Sequence, residues 1–576
     1  MNKINIALIA GMMMSLTACN DFLDEIPDNR ITVDTESEIK ALLNSAYPSC
    51  SFVRVTELAS DNADDLNGED NGYYDRFSEQ CFFWQEITES DNESPTMLWQ
   101  GYYSAIGAAN QALKSLEEIG GATNDTRKAL KGEALLCRAY SHFMLVNIFC
   151  QNYSKEHSST DLGIPYITEP ETTLDPKYDR GTVAETYEKI EKDLLEGLSL
   201  INDAIFQVPH YHFNTKAAYT FASRFYLFYQ QPEKVIEYAS KALGENPESV
   251  MRDYSAMASM PTDDMQPRSI QYTSSSEKAN FLLFPVYSTD PYYYSGSSTG
   301  SRFNNNSYIA QAEQFFLTPW APDNSSAQQS QAIFKFYWFY SQTYNKCMFP
   351  KQPLYFEEAN VNTHVGYQRT LVVGLKAEEA LLNRAEAYIL TNQFPLALKD
   401  INIWTNNFIA DSVSYNTYQY DENWNYIYKT MPIDKELTLD RIRNWVNQYP
   451  YYTPESPRPR KHLHPEWINL TEGSDQENLL QCLLLIRRLE FLHEGMRWFD
   501  IKRYGIKIYR RKIITALNAL ELTDSMEYRD PRQAIQLPYE VSSAGLQANP
   551  RTKVETTPAP FATWNATKRT IKLNIK

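Results

Sequence analysis

Cysteine is scarce. The 576-residue chain carries 7, too few for the disulfide framework that staples small secreted folds. No C-x-x-C occurs, so structural zinc and thioredoxin chemistry have no sequence basis. Long apolar runs are also missing. The longest are an N-terminal stretch around Ile6 to Met14 and Leu479 to Ile486, which Gln481 interrupts; both fall short of the roughly 20 residues a spanning helix needs. Positive charge is in deficit, with Lys and Arg at 54 against 72 Asp and Glu, and the net −18 repels phosphate. Nucleic acid is therefore not expected as a partner. What is present is ordinary globular usage, 43% apolar and 22% charged, which excludes a disordered chain and a coiled-coil rod. Aromatic rings are abundant at 40 Tyr, 27 Phe and 10 Trp, and many are amphipathic enough to work at a wet surface.

The N-terminus has the anatomy of a secretory signal: Lys3 supplies the positive end and Ile6 to Met14 the short apolar core. Residues 1–18 are expected to be removed. Leu16-Thr17-Ala18-Cys19 looks like a bacterial lipobox, which implies acylation at Cys19. At about 0.8 kcal/mol per buried CH₂, several acyl chains hold a body to a bilayer without any crossing helix. Asn20-Asp21-Phe22-Leu23-Asp24-Glu25 resembles the acidic tether of surface-exposed lipoproteins of Bacteroidetes-type bacteria. The expected location is the outer membrane, lipid-anchored and facing outward. The other cysteines, Cys50, Cys81, Cys137, Cys150, Cys347 and Cys482, read as small core residues. Cys137 and Cys150 fall on one predicted helix, roughly 20 Å apart along it, too far to bridge.

Helical periodicity dominates the remainder. Ala139, Phe143, Val146 and Cys150 share one face of a predicted helix over 127–150. A second helix over 182–200 opens on Thr182-Val183-Ala184-Glu185, a capping-box pattern. Helices over 215–229 and 233–243 are divided by Gln230-Gln231-Pro232. The same design recurs where Ala377, Leu381, Ala385 and Tyr388 line a helix, Asn392-Gln393-Phe394-Pro395 breaks it and 396–407 supplies its partner. Alanines where helices must approach make these pairs resemble tetratricopeptide units. The expected fold is mainly α: residues 19–576 form a single body, a helical-repeat scaffold with a loop-rich layer and long insertions near 57–100 and 245–370. Irregular stretches are expected at 62–74, 288–308 and 415–428, and short strands or extended segments at 281–287 and 534–537, with no sheet assigned.

The order of motifs resembles the SusD/RagB family over most of the chain. It is carried by the lipobox and tether, Glu57-Leu58-Ala59-Ser60-Asp61, Trp99-x-x-x-Tyr103-x-x-Ile106-x-x-x-Asn110, Glu133-Ala134-x-x-x-Arg138-Ala139-Tyr140, Gly163-Ile164-Pro165, Arg180-x-Thr182-Val183 and Ala385-Glu386-Ala387-Tyr388. The most specific run is Arg487-Arg488-x-Glu490-Phe491-x-x-Glu494-Gly495-x-Arg497-Trp498-Phe499-Asp500-x-x-Arg503. The family's proline-isoleucine-proline is replaced by Ile535-Gln536-Leu537-Pro538. The resemblance implies a surface lipoprotein of polysaccharide utilisation and nutrient uptake that binds glycan without chemistry and delivers it to a SusC-like TonB-dependent transporter. A peptide-binding member of the family is the alternative, and a surface glycosidase a more distant one. Physically, the mixed charges of that run can pair with one another around Gly495, where a helix should stop.

Hydrolysis would need two carboxylates roughly 5 to 9 Å apart across a cleft. The adjacent pairs Asp64-Asp65, Glu357-Glu358 and Glu378-Glu379 point to different sides of their elements, so no enzyme is expected. His210-Tyr211-His212 and His462-Leu463-His464 lack a nearby third ligand, and no metal site is assigned. No cofactor is expected. The one opening for a structural calcium ion is the oxygen-rich stretch 61–72, which fails the EF-hand pattern at Ala63, Leu66 and Gly72. A glycan surface needs exposed ring planes beside amide, carboxylate and guanidinium groups. Two loops offer that mixture: Asp65, Asn67, Tyr73 and Tyr74, then Tyr292, Tyr293 and Tyr294 with Arg302, Asn304 and Trp320. Family ligand sites, by resemblance, draw on the loop after the Glu57-to-Asp61 motif and the insertion between the helix pairs. Trp84 and Trp99 fall in expected core elements.

Overall fold

The computed structural model describes residues 33–67, 75–172, 177–261, 264–296, 300–321, 333–336, 339–360, 362–514 and 519–551. The signal segment, Cys19, the acidic tether, Tyr73 and Tyr74 lie outside the described residues.

Helices form where apolar periodicity and caps agree. The first are α1 (Glu36–Leu43), α2 (Val53–Ala59), α3 (Arg76–Phe82), α4 (Pro95–Glu118) and α5 (Asp125–Phe149). The predicted capping box opens α6 (Val183–Leu200): Glu185 N donates to Thr182 Oγ1 at 3.2 Å and Thr182 N to Glu185 Oε2 at 2.9 Å. Next, α7 (Thr215–Phe228) turns into α8 (Pro232–Leu243) through Gln230 at φ 61°. The later pair, α9 (Ala377–Leu390) and α10 (Phe394–Phe408), turns the same way through Asn392 at φ 59°. In both pairs proline sits in the first turn of the second helix, where its missing N–H has no partner to lose. Ala217, Ala222, Ala239, Ala242, Ala380 and Ala385 are fully buried, and α9 packs on α8 as well as on α10. Then follow α11 (Leu439–Asn447), α12 (Asp475–Glu490) and α13 (Arg497–Tyr504). The chain is mainly α, and one continuous apolar core takes residues from Ile39 to Leu537. Cys50, Cys81, Cys137, Cys150, Cys347 and Cys482 are buried free thiols within that fold.

Sheets occur where none was assigned. The expected strand over 281–287 is β2 (Asn280–Tyr287), which pairs antiparallel with β7 (Val365–Lys376), itself paired with β6 (Tyr355–Asn360). β7 runs directly into α9, tying the loop-rich layer to the scaffold. A second sheet has β1 (Asp64–Asp65) between β3 (Phe303–Asn304) and β10 (Ile508–Ile514), with β11 (Ala519–Met526) outside β10, and β4 (Phe339–Ser341) and β5 (Lys346–Met348) pair antiparallel as a ribbon of their own. The stretch 415–428, read above as irregular, is instead a hairpin of β8 (Ser412–Tyr420) and β9 (Tyr426–Pro432). Its polar and aromatic composition hid the strands, because only one face has an apolar partner to bury against and the register shifts between Asn416 and Tyr420.

The 487–503 run makes the end of α12, a turn at Gly495 (φ 78°) and α13. Within it Asp500 takes Arg487 at 2.9 Å and Arg503 at 2.7 Å. The other charges find partners far along the chain. Arg497 and Arg488 reach Asp61 at 2.8 and 3.5 Å, Arg488 also Glu313 at 3.2 Å, and Arg503 reaches Glu386 at 2.6 Å. Lys376 serves Glu490 and Glu494. Gly495 N donates to Glu57 Oε1 at 2.9 Å, so the two motifs at 57–61 and 487–503 are one buried joint.

Candidate functional site

β1 and β3 bring the first predicted loop against the second. Asp65 takes Arg302 through two bonds of 2.7 Å, and Asn67 N donates to Asp65 Oδ1 at 2.8 Å. Arg302 continues to Glu79 on α3 at 3.4 Å. At the other end of α3, Asp75 caps the helix and lies 3.5 Å from the Tyr293 hydroxyl, while the Arg54 guanidinium covers the Tyr293 ring at 3.8 Å. Tyr292 accepts from Gln368 Nε2 on β7 at 2.9 Å. The residues thus brought together are Asp65, Asn67, Arg302, Tyr292 and Tyr293, with both tyrosines half-buried. Asn304 is buried, donating to the Ser301 carbonyl at 2.8 Å.

Two predicted rings are corrected. Trp320 is 1% exposed and packs on Trp404 at 5.8 Å, so it is a core ring that presents no face to solvent. Tyr294 is buried against His493 at 4.6 Å. A loop ring goes inward when the core lacks volume at that point, and no local pattern encodes that. Tyr73 and Tyr74 lie outside the described residues.

The exposed rings sit on two hairpins instead. On β6 and β7, Tyr355, Phe356 and Tyr367 are exposed; Tyr367 meets Tyr287 edge-on at 5.6 Å, and Arg369 covers Tyr287 at 4.0 Å. On β8 and β9, Val413 is buried and Tyr415 and Met431 are partly buried against the core, so the opposite face is left to water. That face carries Tyr426 and Tyr428 on β9 and their cross-strand partners Tyr420 and Asn416. Tyr420 lies 4.7 Å from Tyr426 and 5.9 Å from Trp424 at the tip. Asp421 fixes the turn by accepting from Asn423 N and Asn425 N, each at 2.8 Å, and Trp424 stands 82% exposed. A tryptophan so exposed gains nothing for the fold. Its sequence signal was the Tyr/Asn/Trp density of 415–428, visible without the strands that order it.

The carboxylates suspected of catalysis are all occupied. Asp64 takes Arg511 at 2.7 Å, Glu379 takes Arg224 at 2.5 and 2.6 Å, and Glu378 accepts from Arg252 N at 2.9 Å. Glu357 is paired with Arg369 and Glu358 with His364 at 2.9 Å. The same holds for the stretch considered for calcium: Asp61, Asp64 and Asp65 each face a guanidinium. Among the described residues no three His, Cys, Asp or Glu side chains converge as a metal set; His212 faces Glu133 and His462 faces Glu472. The acid most displaced toward protonation outside the scaffold is Glu93, which burial and the neighbouring Asp290 push up to about 8. Both are fully buried, and Glu93 accepts from Ser288 Oγ at 2.8 Å and Thr289 N at 2.7 Å, so no substrate reaches it. The arrangement can stack on and hydrogen-bond a polyhydroxylated surface.

Comparison with known proteins places this geometry. A SusD-like family model, described as starch-binding associating with outer membrane, matches residues 21–227. A SusD superfamily protein from Bacteroides thetaiotaomicron shares the fold at a TM-score of 0.59 and 17% identity, covering 90% of this chain and 100% of that one. The fold is SusD-like. A SusD-like carbohydrate binding protein from Bacteroides vulgatus superposes at 0.56 and 16% identity, with 91% and 99% of the two chains covered. SusD-like protein P2 of Formosa agariphila is 28% identical over 160 residues, and the match spans 30% of that relative's length and 26% of this chain. The matched segment holds α1 to α6, nearly all of α7 and β1, and so includes Asp65 and Asn67. The hairpins with the exposed rings lie beyond it.

Proposed function

We propose that this SusD-like protein binds glycan chains noncovalently at the outer face of an outer membrane, held there through Cys19, and passes them to a SusC-like TonB-dependent transporter. The observation that carries the reading is the solvent face of β8 and β9, where Tyr420, Tyr426, Tyr428 and Trp424 stand beside Asn416. Sugar rings present apolar C–H faces ringed by hydroxyls, and aromatic planes next to amides match both. Tyr292, Tyr293, Asn67 and Arg302, the last held by the fully buried Asp65, form a second, half-buried polar group that supports the same ligand class. The family description and the carbohydrate binding protein of Bacteroides vulgatus agree with it in kind.

The test is calorimetric titration of candidate polysaccharide fragments into wild type and a Trp424→Ala/Tyr428→Ala variant. Losing two rings at about 0.5 to 1.5 kcal/mol each weakens binding roughly 5- to 150-fold, with no change in melting temperature. Equal affinity in both proteins would remove the hairpin from the site. Release of new reducing ends during the same incubation would instead show a glycosidase.

A further inference from the structure

Away from both hairpins in sequence, α4, the stretches 165–171 and 177–178 and the 541–546 segment line a groove of about 720 Å³. Pockets of about 300 to 1,000 Å³ are the usual size for small ligands. Its walls carry three rings. Trp99 is braced by Phe149 at 5.2 Å and lies 4.8 Å from Tyr103; the Tyr103 hydroxyl donates to the Pro165 carbonyl at 2.7 Å, and the Tyr178 hydroxyl donates to Glu171 at 2.8 Å. Such rings are fixed before any ligand arrives. Gln100, Ser104, Gln111 and Glu169 add amide, hydroxyl and carboxylate groups among them.

Gly107 supplies a second and independent observation. It stands exposed in the interior of α4 and lines the groove. Glycine weakens a helix interior relative to alanine, so a reason is needed. Its neighbour Gly101 has one, because a Cβ there would fall 2.6 Å from Cys50 Sγ. A Cβ at Gly107 would meet nothing within 4 Å, and its φ is not in the left-handed region. Neither packing nor backbone conformation requires glycine at 107. Its missing side chain leaves the helix backbone open to the groove.

We propose that this groove is a separate binding site for a short neutral oligosaccharide. It shares with the reading above only the class of ligand. Helix, loop and short helix form the walls, so an extended peptide finds no strand edge to join, whereas pyranose rings find planes to stack on and side-chain groups for their hydroxyls. Glu169 and Glu171 against Lys177 leave the groove with excess negative charge, which selects against uronate and sulfated chains.

The experiment is hydrogen–deuterium exchange with calorimetry on the mature chain, using malto-, cello-, xylo- and mannohexaose, hexagalacturonate and a pool of mixed pentapeptides as probes. At least one neutral hexasaccharide should slow exchange in 165–171 and 541–546. Gly107→Trp should fill the groove, abolish that protection and lower affinity at this site at least tenfold, while its melting temperature holds or rises. Trp424→Ala/Tyr428→Ala should leave the groove protection intact. The proposal is overturned if no neutral probe protects these segments, if protection survives Gly107→Trp, or if only hexagalacturonate or the peptides produce it. Protection at the hairpin alone sinks the groove and spares the proposed function; protection at neither sinks both.

Discussion

Glu93 is a carboxyl with no exposure, held among Ser288, Thr289, Asp290 and Arg54. Burial is the largest cause of its rise to about 8, followed by Asp290, while Arg54 pulls the other way. Asp290, raised by burial to about 6, adds in the same direction. A carboxyl whose folded value lies above its unfolded value of 4.5 leaves stability whole below 4.5 and removes it as pH rises through about 8. Lys346 and Lys502, lowered by burial to about 7, act oppositely, favouring the fold as pH rises. The informative quantity is therefore the difference between proteins. Glu93→Gln keeps an acceptor oxygen for Ser288 and Thr289 and cannot ionise. Its melting temperature relative to wild type should climb from pH 5 and level off above about pH 8, read by calorimetry at fixed ionic strength. A constant difference would mean that Glu93 titrates normally in the fold.

The joint between α2, α12 and α13 shows what an element-scale fault would do. Arg488 is buried between Asp61 and Glu313, and its Nε donates to Asn62 Oδ1 at 2.8 Å. Arg488→Ala leaves two buried carboxylates short of a cation. Breaking one side of a buried ion network destabilises by about 3 to 5 kcal/mol, which urea unfolding should register, while replacing the β8–β9 tip at 421–425 by glycine and serine should shift stability by less than about 0.5 kcal/mol. Equal losses would mean that Lys461 and Arg497 compensate for the missing guanidinium. The same elements divide what was legible. α5, α6 and the pairs α7–α8 and α9–α10 could be read because period, caps and breakers are local. The pairing of Arg497 with Asp61 could not, since it spans 436 residues and charge patterns carry no partner addresses. Asp65 and Arg302 were chosen as ligand groups, and each was found bonded to the other. Trp320 was chosen as a ligand ring and Trp424 was not singled out; only the position of Trp404 and of the Asp421 turn separates a core ring from an exposed one.

At the scale of the whole molecule, the question is what holds it where glycan can be reached. No helix among the described residues is long and apolar enough to cross a membrane, and the net charge of −18 gives no attraction to an anionic lipid surface. On the proposed reading, retention rests on acylation at Cys19 in Leu16-Thr17-Ala18-Cys19. Acyl chains bind at about 0.8 kcal/mol per buried CH₂, so one residue carrying several of them would retain a body of 66.6 kDa. Cys19→Ala should abolish labelling with radioactive palmitate and move the protein out of the outer-membrane fraction, with melting temperature unchanged because residue 19 precedes the described fold. In wild-type cells, mild detergent and crosslinking should recover a TonB-dependent barrel with it, through an interface upwards of about 2,000 Å² if the complex is permanent. The two results are separable. Undiminished palmitate labelling in Cys19→Ala would refute the lipobox, whereas an acylated protein that never brings down a barrel would leave the anchor standing and remove the transporter.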